Sequence, residues 1–143
     1  YWMKRVHVKK GAKEEKRVDQ LETGMLDIFT SSFFLRAQKL EVGKVYTSNL
    51  YNEGKHIKVR AKVLRRELLD TEMGKFQTLV VQPEARFEGI LKMSGDSLIW
   101  VTDDPRHFIL QVETKIKIGY LKLNILKIED PAYDFPSRIK KES

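Results

Sequence analysis

The chain contains no cysteine. Disulfides, thiolate metal sites and cysteine nucleophiles are therefore excluded, and the redox compartment is left open. Histidine is nearly as scarce: His7, His56 and His107 lie far apart with no zinc-type spacing, so no metal centre is expected. No run of about 18 apolar residues occurs, which excludes a membrane-spanning helix, and no basic start followed by an apolar core marks a signal peptide. The glycines form no phosphate-binding loop, and Ser31, Ser32, Ser94 and Ser97 stand in no nucleophile-elbow context. No cofactor is implied, and with no convergent set of polar groups the chain does not read as an enzyme.

What is present is enough for one core. With 143 residues, of which 41% are hydrophobic and 10% aromatic, the chain reads as a single β-rich domain over residues 1–143. Its net charge of +7 invites a nucleic-acid partner, but the distribution of that charge argues against one. Lys4, Arg5, Lys9, Lys10, Lys13, Lys16 and Arg17 outweigh Glu14 and Glu15, and Arg138, Lys140 and Lys141 outweigh Glu142. The body between residues 18 and 135 is neutral, whereas a nucleic-acid domain carries its excess on one folded face. Residues 1–17 therefore read as a basic N-terminal strand or edge, and residues 131–143, after Asp130-Pro131, as a loose tail.

Periodicity supplies the elements. Trp2, Val6 and Val8 alternate with Arg5, His7 and Lys9, and Lys16 to Leu21 is a return partner. Between Asp27 and Leu40 the period changes: Phe29, Phe33, Arg36 or Ala37, and Leu40 recur at helical spacing, with Asp27 as N-cap and Gly43 as terminator. The aromatic stripe either packs this helix onto a sheet or, through Phe29 and Phe33, lines a pocket. Arg36 beside that apolar face calls for a carboxylate partner. From Lys44 the signal is β: Ile57, Val59, Ala61 and Val63 alternate with Lys58, Arg60 and Lys62, and Phe76 to Val81 is a strand ended by Pro83. Arg86 to Leu91 is a further short strand. Ser97 to Val101 leads into an acidic corner, Thr102-Asp103-Asp104-Pro105-Arg106, and then a long alternating strand whose phase flips at Gly119, through either a bulge or a turn. The expected architecture is mainly β: a curved antiparallel sheet, a barrel or half-barrel/sandwich, with one packed helix.

Several of these pieces occur in a recognisable order: Asp27-Ile28-Phe29-Thr30, Phe33-Phe34-Leu35-Arg36, Val42-Gly43-Lys44, Thr71-Glu72-Met73-Gly74-Lys75-Phe76, Ile99-Trp100-Val101-Thr102-Asp103-Asp104-Pro105-Arg106 and Lys117-Ile118-Gly119. In this the chain resembles, from about Leu21 to Lys127, the bacterial family catalogued as domain of unknown function 3108. The resemblance implies an exported protein, periplasmic or associated with the outer membrane, of mostly β structure and without established chemistry. Two departures stand out. The family usually places a proline after the acidic corner, where this chain has Ile109, and its members carry further N-terminal strands that would precede Tyr1. The second implies a sheet lacking upstream strands.

The candidate sites follow. Trp100, Thr102, Asp103, Asp104, Arg106 and Arg36 form a corner that is either structural or binds a ligand or cation. In a turn, one aspartate would cap backbone amides and the other would meet Arg36 or Arg106. Adjacent carboxylates on a strand would point to opposite faces, which is poor geometry for a general acid and base. Lys58, Arg60, Lys62, Lys115 and Lys117 would make a basic face for anionic lipid or glycolipid headgroups, lipopolysaccharide or nucleic-acid phosphates if their strands are neighbours, and otherwise a solvated sheet face, its charge diluted by Glu67 and Glu113. The favoured expectation is a cell-envelope binding or assembly module, whose curved sheet holds a lipid-like or anionic ligand or contacts another envelope protein. The alternative is a structural or protein-interaction domain without a small-molecule ligand.

Overall fold

The strand marked by the alternation of Ile57, Val59, Ala61 and Val63 continues past Leu64. A computed structural model describes residues 2–7, 15–20, 26–52, 55–84, 97–116, 118–129 and 134–139. In it one strand runs unbroken over Lys55–Thr71. The elements in chain order are β1 (Trp2–His7), β2 (Glu15–Gln20), α1 (Ile28–Arg36), β3 (Val45–Asn52), β4 (Lys55–Thr71), β5 (Gly74–Glu84), β6 (Ser97–Thr102), β7 (Ile109–Ile116) and β8 (Gly119–Asn124). β1 and β2 form their own antiparallel pair, and β3 to β8 form one six-stranded antiparallel sheet in sequence order. The sheet is curved and open, with a single short helix on it.

Two bulges govern how the sequence pattern maps onto the two faces. Val63 is opposite Val81, but Arg65 is opposite Val80, so Leu64 is an extra residue and the phase of β4 inverts there. Before the bulge, Ala61 and Val63 face α1; after it, the odd positions Arg65 and Glu67 turn to the far face. This inversion hid the second half of β4 from a period-two reading. The second bulge inserts Leu110, because Trp100 is opposite Gln111 while Val101 is opposite Ile109. At Gly119 the flip is a turn rather than a bulge: β7 ends at Ile116, which pairs directly with Gly119, and the glycine has φ +139°. Pro83 does not end its strand. It lies opposite Ala61, beyond the Thr78–Val81 stretch where β6 bonds to β5, so its missing N–H costs no ladder bond there.

The core lies between α1 and the sheet. Leu40, Ala61, Val63, Leu79, Val81 and Val101 are buried together, with Leu35, Tyr46, Ile99 and Ile109 packed against them. Each fully buried Val or Leu stabilises the fold by about 1.5–3 kcal/mol. Asp27 caps α1 as expected, its Oδ1 accepting from the Thr30 N–H at 2.8 Å. The aromatic stripe is not the packed face. Phe33 is 62% exposed and Phe34 is exposed too, while Ser31, bonded to Ser48 across 2.7 Å, and Leu35 carry the contact. The helix ends at Arg36, well before Gly43, which instead sits in a turn whose N–H donates to the Val63 carbonyl.

The far face is curled. The β4–β5 hairpin, closed by Thr71 opposite Gly74, reaches the segment after β8, where the Ile128 N–H meets Met73 Sδ at 3.2 Å. The tail also departs from expectation: within the stretch read as loose, residues 134–139 are docked. Gln77 N–H donates to the Ser137 carbonyl at 2.7 Å, Ile139 N–H donates to the Lys75 carbonyl at 2.8 Å, and Arg138 forms an antiparallel bridge with Phe76. Once β6 has turned away at the corner, these residues take its place beside β5. Phe135 supplies the adhesion, edge-on to Phe76 at 5.9 Å and tilted against Phe108 at 5.1 Å. The strand expected over Arg86–Leu91 and the rest of the tail lie outside the described residues.

This docking predicts a specific sensitivity at Gly74, which has φ +114° and would bring a Cβ to 3.3 Å from Arg138 Nε. Gly74→Ala combines backbone strain with a displaced guanidinium, for an expected loss of about 1–3 kcal/mol in urea unfolding. An unchanged midpoint would show that neither the hairpin geometry nor the Arg138 contact is held tightly.

Candidate functional site

The acidic corner is a turn, and its sequence explains why. Asp104 and Pro105 occupy the first two positions of a β-turn in which the His107 N–H donates to the Asp104 carbonyl at 3.1 Å. Oδ1 of Asp104 also accepts from the Arg106 N–H two residues on, at 3.2 Å, the local bond that favours aspartate at the head of a turn. Two bonds close the loop: Thr102 N–H to the Phe108 carbonyl at 2.9 Å, and Phe108 N–H to Thr102 Oγ1 at 2.8 Å. His107 takes up the remaining rotation at φ +44°, held by its ring Nδ1 at 2.8 Å from the Arg36 carbonyl.

The two aspartates do different work. Asp104 is 6% exposed, and its carboxylate also accepts from Thr102 Oγ1 at 3.0 Å and from Ser137 Oγ at 2.5 Å. Donors from β6, the turn and the C-terminal segment thus converge on one buried carboxylate, which stabilises it in its charged form. Asp103 faces the other way: its N–H extends the ladder to the Gln77 carbonyl, and Oδ2 pairs with Arg66 Nε at 2.6 Å. That partner, on β4, is neither of the arginines expected.

Arg36 has a different role from the one anticipated. Its Nε and Nη2 both donate to the Arg106 carbonyl at 3.2 Å, and its guanidinium stacks 5.6 Å from the Phe33 ring and 5.1 Å from Phe108. Placed at the C-terminal end of α1, Arg36 reaches the turn's backbone, while the corner's carboxylates point toward Ser137 and Arg66. Burial, and then the nearby charge of Arg106, push its pKa down from the ordinary arginine value. The Arg106 guanidinium lies 5.7 Å from the same Phe108 ring. Trp100 is buried, its Nε1–H donating to Glu67 Oε1 at 3.2 Å. Of the predicted corner set, Thr102, Asp104, Arg106 and Arg36 therefore meet in one interlocked turn, whereas Trp100 and Asp103 are bonded to Glu67 and Arg66 on β4.

The other predicted sites are not assembled. Lys58, Arg60, Lys62 and Lys115 fall on the same far face of the sheet, but β5 and β6 separate β4 from β7, so they form no single patch. Arg60 is moreover paired with Glu84 at 3.6 Å. Lys117 and the side chain of Phe29 lie outside the described residues, and Phe33 is exposed. Two clefts open at the curled end. One, of about 410 Å³, lies between Asp70, Glu72, Leu110 and Asn124; the other, of about 820 Å³, lies between Met73, Lys75, Asp134 and Arg138. Among the described residues no cluster of His, Asp or Glu could hold a metal ion.

A site the sequence reading missed lies at the sheet's edge. Every residue of β8 is exposed, and from Ile118 to Leu126 the chain presents Ile118 (93% exposed), Tyr120 (68%), Leu121, Leu123, Ile125 and Leu126 (71%) to solvent. Only Lys122 in that stretch is charged. The signal was available: Leu121, Leu123 and Ile125 form one exposed apolar phase, and the other phase carries Tyr120 beside Lys122 and Asn124.

A family model described as Protein of unknown function (DUF3108) matches residues 3–125. The chain belongs to that family. The span matched to DUF3108 contains Asp104, Trp100 and all of β8, whereas Ser137, which closes the clasp on Asp104, lies beyond it. No curated protein and no solved structure matches the chain.

The contrast between the two aspartates is measurable. Asp104→Ala leaves the Ser137 and Thr102 hydroxyls and the Arg106 N–H without their acceptor, and should cost about 3 kcal/mol or more in chemical unfolding. Asp103→Ala removes one largely solvated ion pair and should cost at most about 1 kcal/mol. Equal losses would contradict the division of roles.

Proposed function

We propose that this DUF3108 domain is a non-enzymatic assembly module of the cell envelope, which receives an extended protein segment along β8. The observation that carries the reading is the open edge: a terminal strand of the sheet, exposed throughout, with Leu121 and Leu123 on one face, Tyr120 beside Lys122 and Asn124 on the other, and a row of outward backbone groups. Natural edge strands are blunted by lysines, prolines, bulges or covering loops. β8 has one lysine, no proline and no bulge in its ladder with β7. The opposite edge is treated differently: Leu26 bridges to Leu50 on β3, its N–H and carbonyl bonded to Asn49 and Tyr51. Strand addition at such an edge takes affinity from main-chain bonds and specificity from alternate side chains.

The interlocked corner supports the non-catalytic part of the reading. Asp104 is saturated by donors and Asp103 is engaged by Arg66, so the pair is arranged to hold the turn rather than to exchange protons with a substrate. The envelope setting rests on the family resemblance. As for a lipid-like or anionic ligand, the clefts at the curled end, and a third cleft of about 440 Å³ between Leu40, Arg66, Asp103 and His107 at the corner, would be the places to receive one. They are lined largely by charged and polar groups, and the edge carries the stronger argument.

Site-specific photocrosslinking in the native host tests the reading. With a benzophenone amino acid replacing Tyr120, illumination should yield discrete protein adducts of defined mass. The same probe at Lys62, exposed on the far side of the sheet, should yield few. Adducts to lipid alone, or equal protein labelling at both positions, would overturn the proposal.

A further inference from the structure

We infer that the strand received by β8 is β8 of a second copy, giving a two-fold dimer with one sheet continuous across both chains; the inference rests on the reading of β8 as a docking edge. The argument is one of register. In the β7–β8 hairpin the closing pair is Ile116 and Gly119, so Gly119, Leu121 and Leu123 direct their backbone groups to β7. The Ile125 N–H continues that series, donating to the Leu110 carbonyl at 2.9 Å. Tyr120, Lys122 and Asn124 therefore direct theirs outward.

A two-fold axis perpendicular to the sheet pairs these outward groups only when it is centred on a residue. Centred on Lys122, it sets the strand's one cation against its own copy, which is unfavourable. Centred on Leu121, it places Leu123 against Gly119 and carries Ile125 past the end of β8. Centred on Leu123, it matches every large apolar residue from Tyr120 to Leu126 with another. Tyr120 then meets Leu126 of the second copy, Leu121 meets Ile125, and Leu123 meets itself on the axis. Lys122 meets Asn124, and its charge already has Glu113 opposite it on β7. The stretch is thus complementary to itself in size, polarity and hydrogen bonding. Because the β3 edge carries the Leu26 bridge, the pairing closes at two copies instead of propagating into a filament.

The absence of native cysteine makes the register directly readable. On the axis, Leu123 forms a non-hydrogen-bonded pair with its copy, with Cα atoms about 4.5 Å apart, within disulfide reach. Leu123→Cys should therefore oxidise spontaneously to a covalent dimer. Leu121→Cys should not, because its two copies lie four strand positions apart, about 13 Å. Sedimentation of the unmodified chain should show a concentration-dependent monomer–dimer equilibrium. Leu123→Lys, at a position already exposed in the monomer, should weaken it by at least about 100-fold with an unchanged circular dichroism spectrum. A monomer at every concentration, or equal crosslinking of the two cysteine variants, would overturn the dimer. If the chain is monomeric but Tyr120 still crosslinks to a different protein, self-pairing falls and the docking edge stands. If Tyr120 forms no protein adduct at all, both fall.

Discussion

A buried carboxylate must be satisfied by donors or it unfolds what surrounds it, and Asp104 is satisfied by donors from separate parts of the chain. Thr102 contributes the end of β6, Arg106 the turn, and Ser137 a segment more than thirty residues downstream. Fixing those donors fixes where β6 stops and where the C-terminal segment starts to pair. Ser137 to Ile139 then lie beside β5 as a short substitute for β6, and Phe135 seals the aromatic contact to Phe76 and Phe108. α1 is tied to the same turn through Arg36 and His107, so helix, sheet and tail meet at one residue.

The two bulges complement this clasp. Inverting the phase at Leu64 turns Arg65 and Glu67 to the far face, where Glu67 meets Trp100 beside the buried Thr78 and Val80. Adding Leu110 bends β7 where it leaves the corner. Bulged strands twist more strongly, and here the result is a sheet whose β4–β5 hairpin curls toward the chain after β8 without closing on it. One edge is covered at Leu26; the other, at β8, is left with its backbone groups outward. Closing the sheet would have removed that edge.

How much of this can be read without coordinates depends on whether the cause is local. The Asp27 cap, the alternation through Ile57 and Val63, and the turn at Asp103-Asp104-Pro105 are local, and they are legible. The buried Trp100 follows from its place on a short apolar strand. What could not be read is decided by residues distant in sequence: Arg66 reaching Asp103, the Arg106 carbonyl replacing a carboxylate for Arg36, and Ser137 docking a tail whose composition reads as loose. The aromatic stripe of α1 misled because helical spacing identifies a face but not which way it points. Phe33 turns outward because Ser31 and Leu35 fit closer to the sheet. The exposed apolar phase of β8, Leu121 and Leu123, was visible in the sequence, but its openness depends on the order of strands, which only the fold supplies.

The central physical claim is that Asp104 and Ser137 form one energetic unit holding the corner to the tail. A double-mutant cycle with Asp104→Asn and Ser137→Ala, followed by urea unfolding, tests it most directly. If the clasp acts as described, the two losses are strongly non-additive, with a coupling of about 1 kcal/mol or more. If they add to within about 0.3 kcal/mol, the carboxylate and the hydroxyl act independently and the corner does not organise the fold.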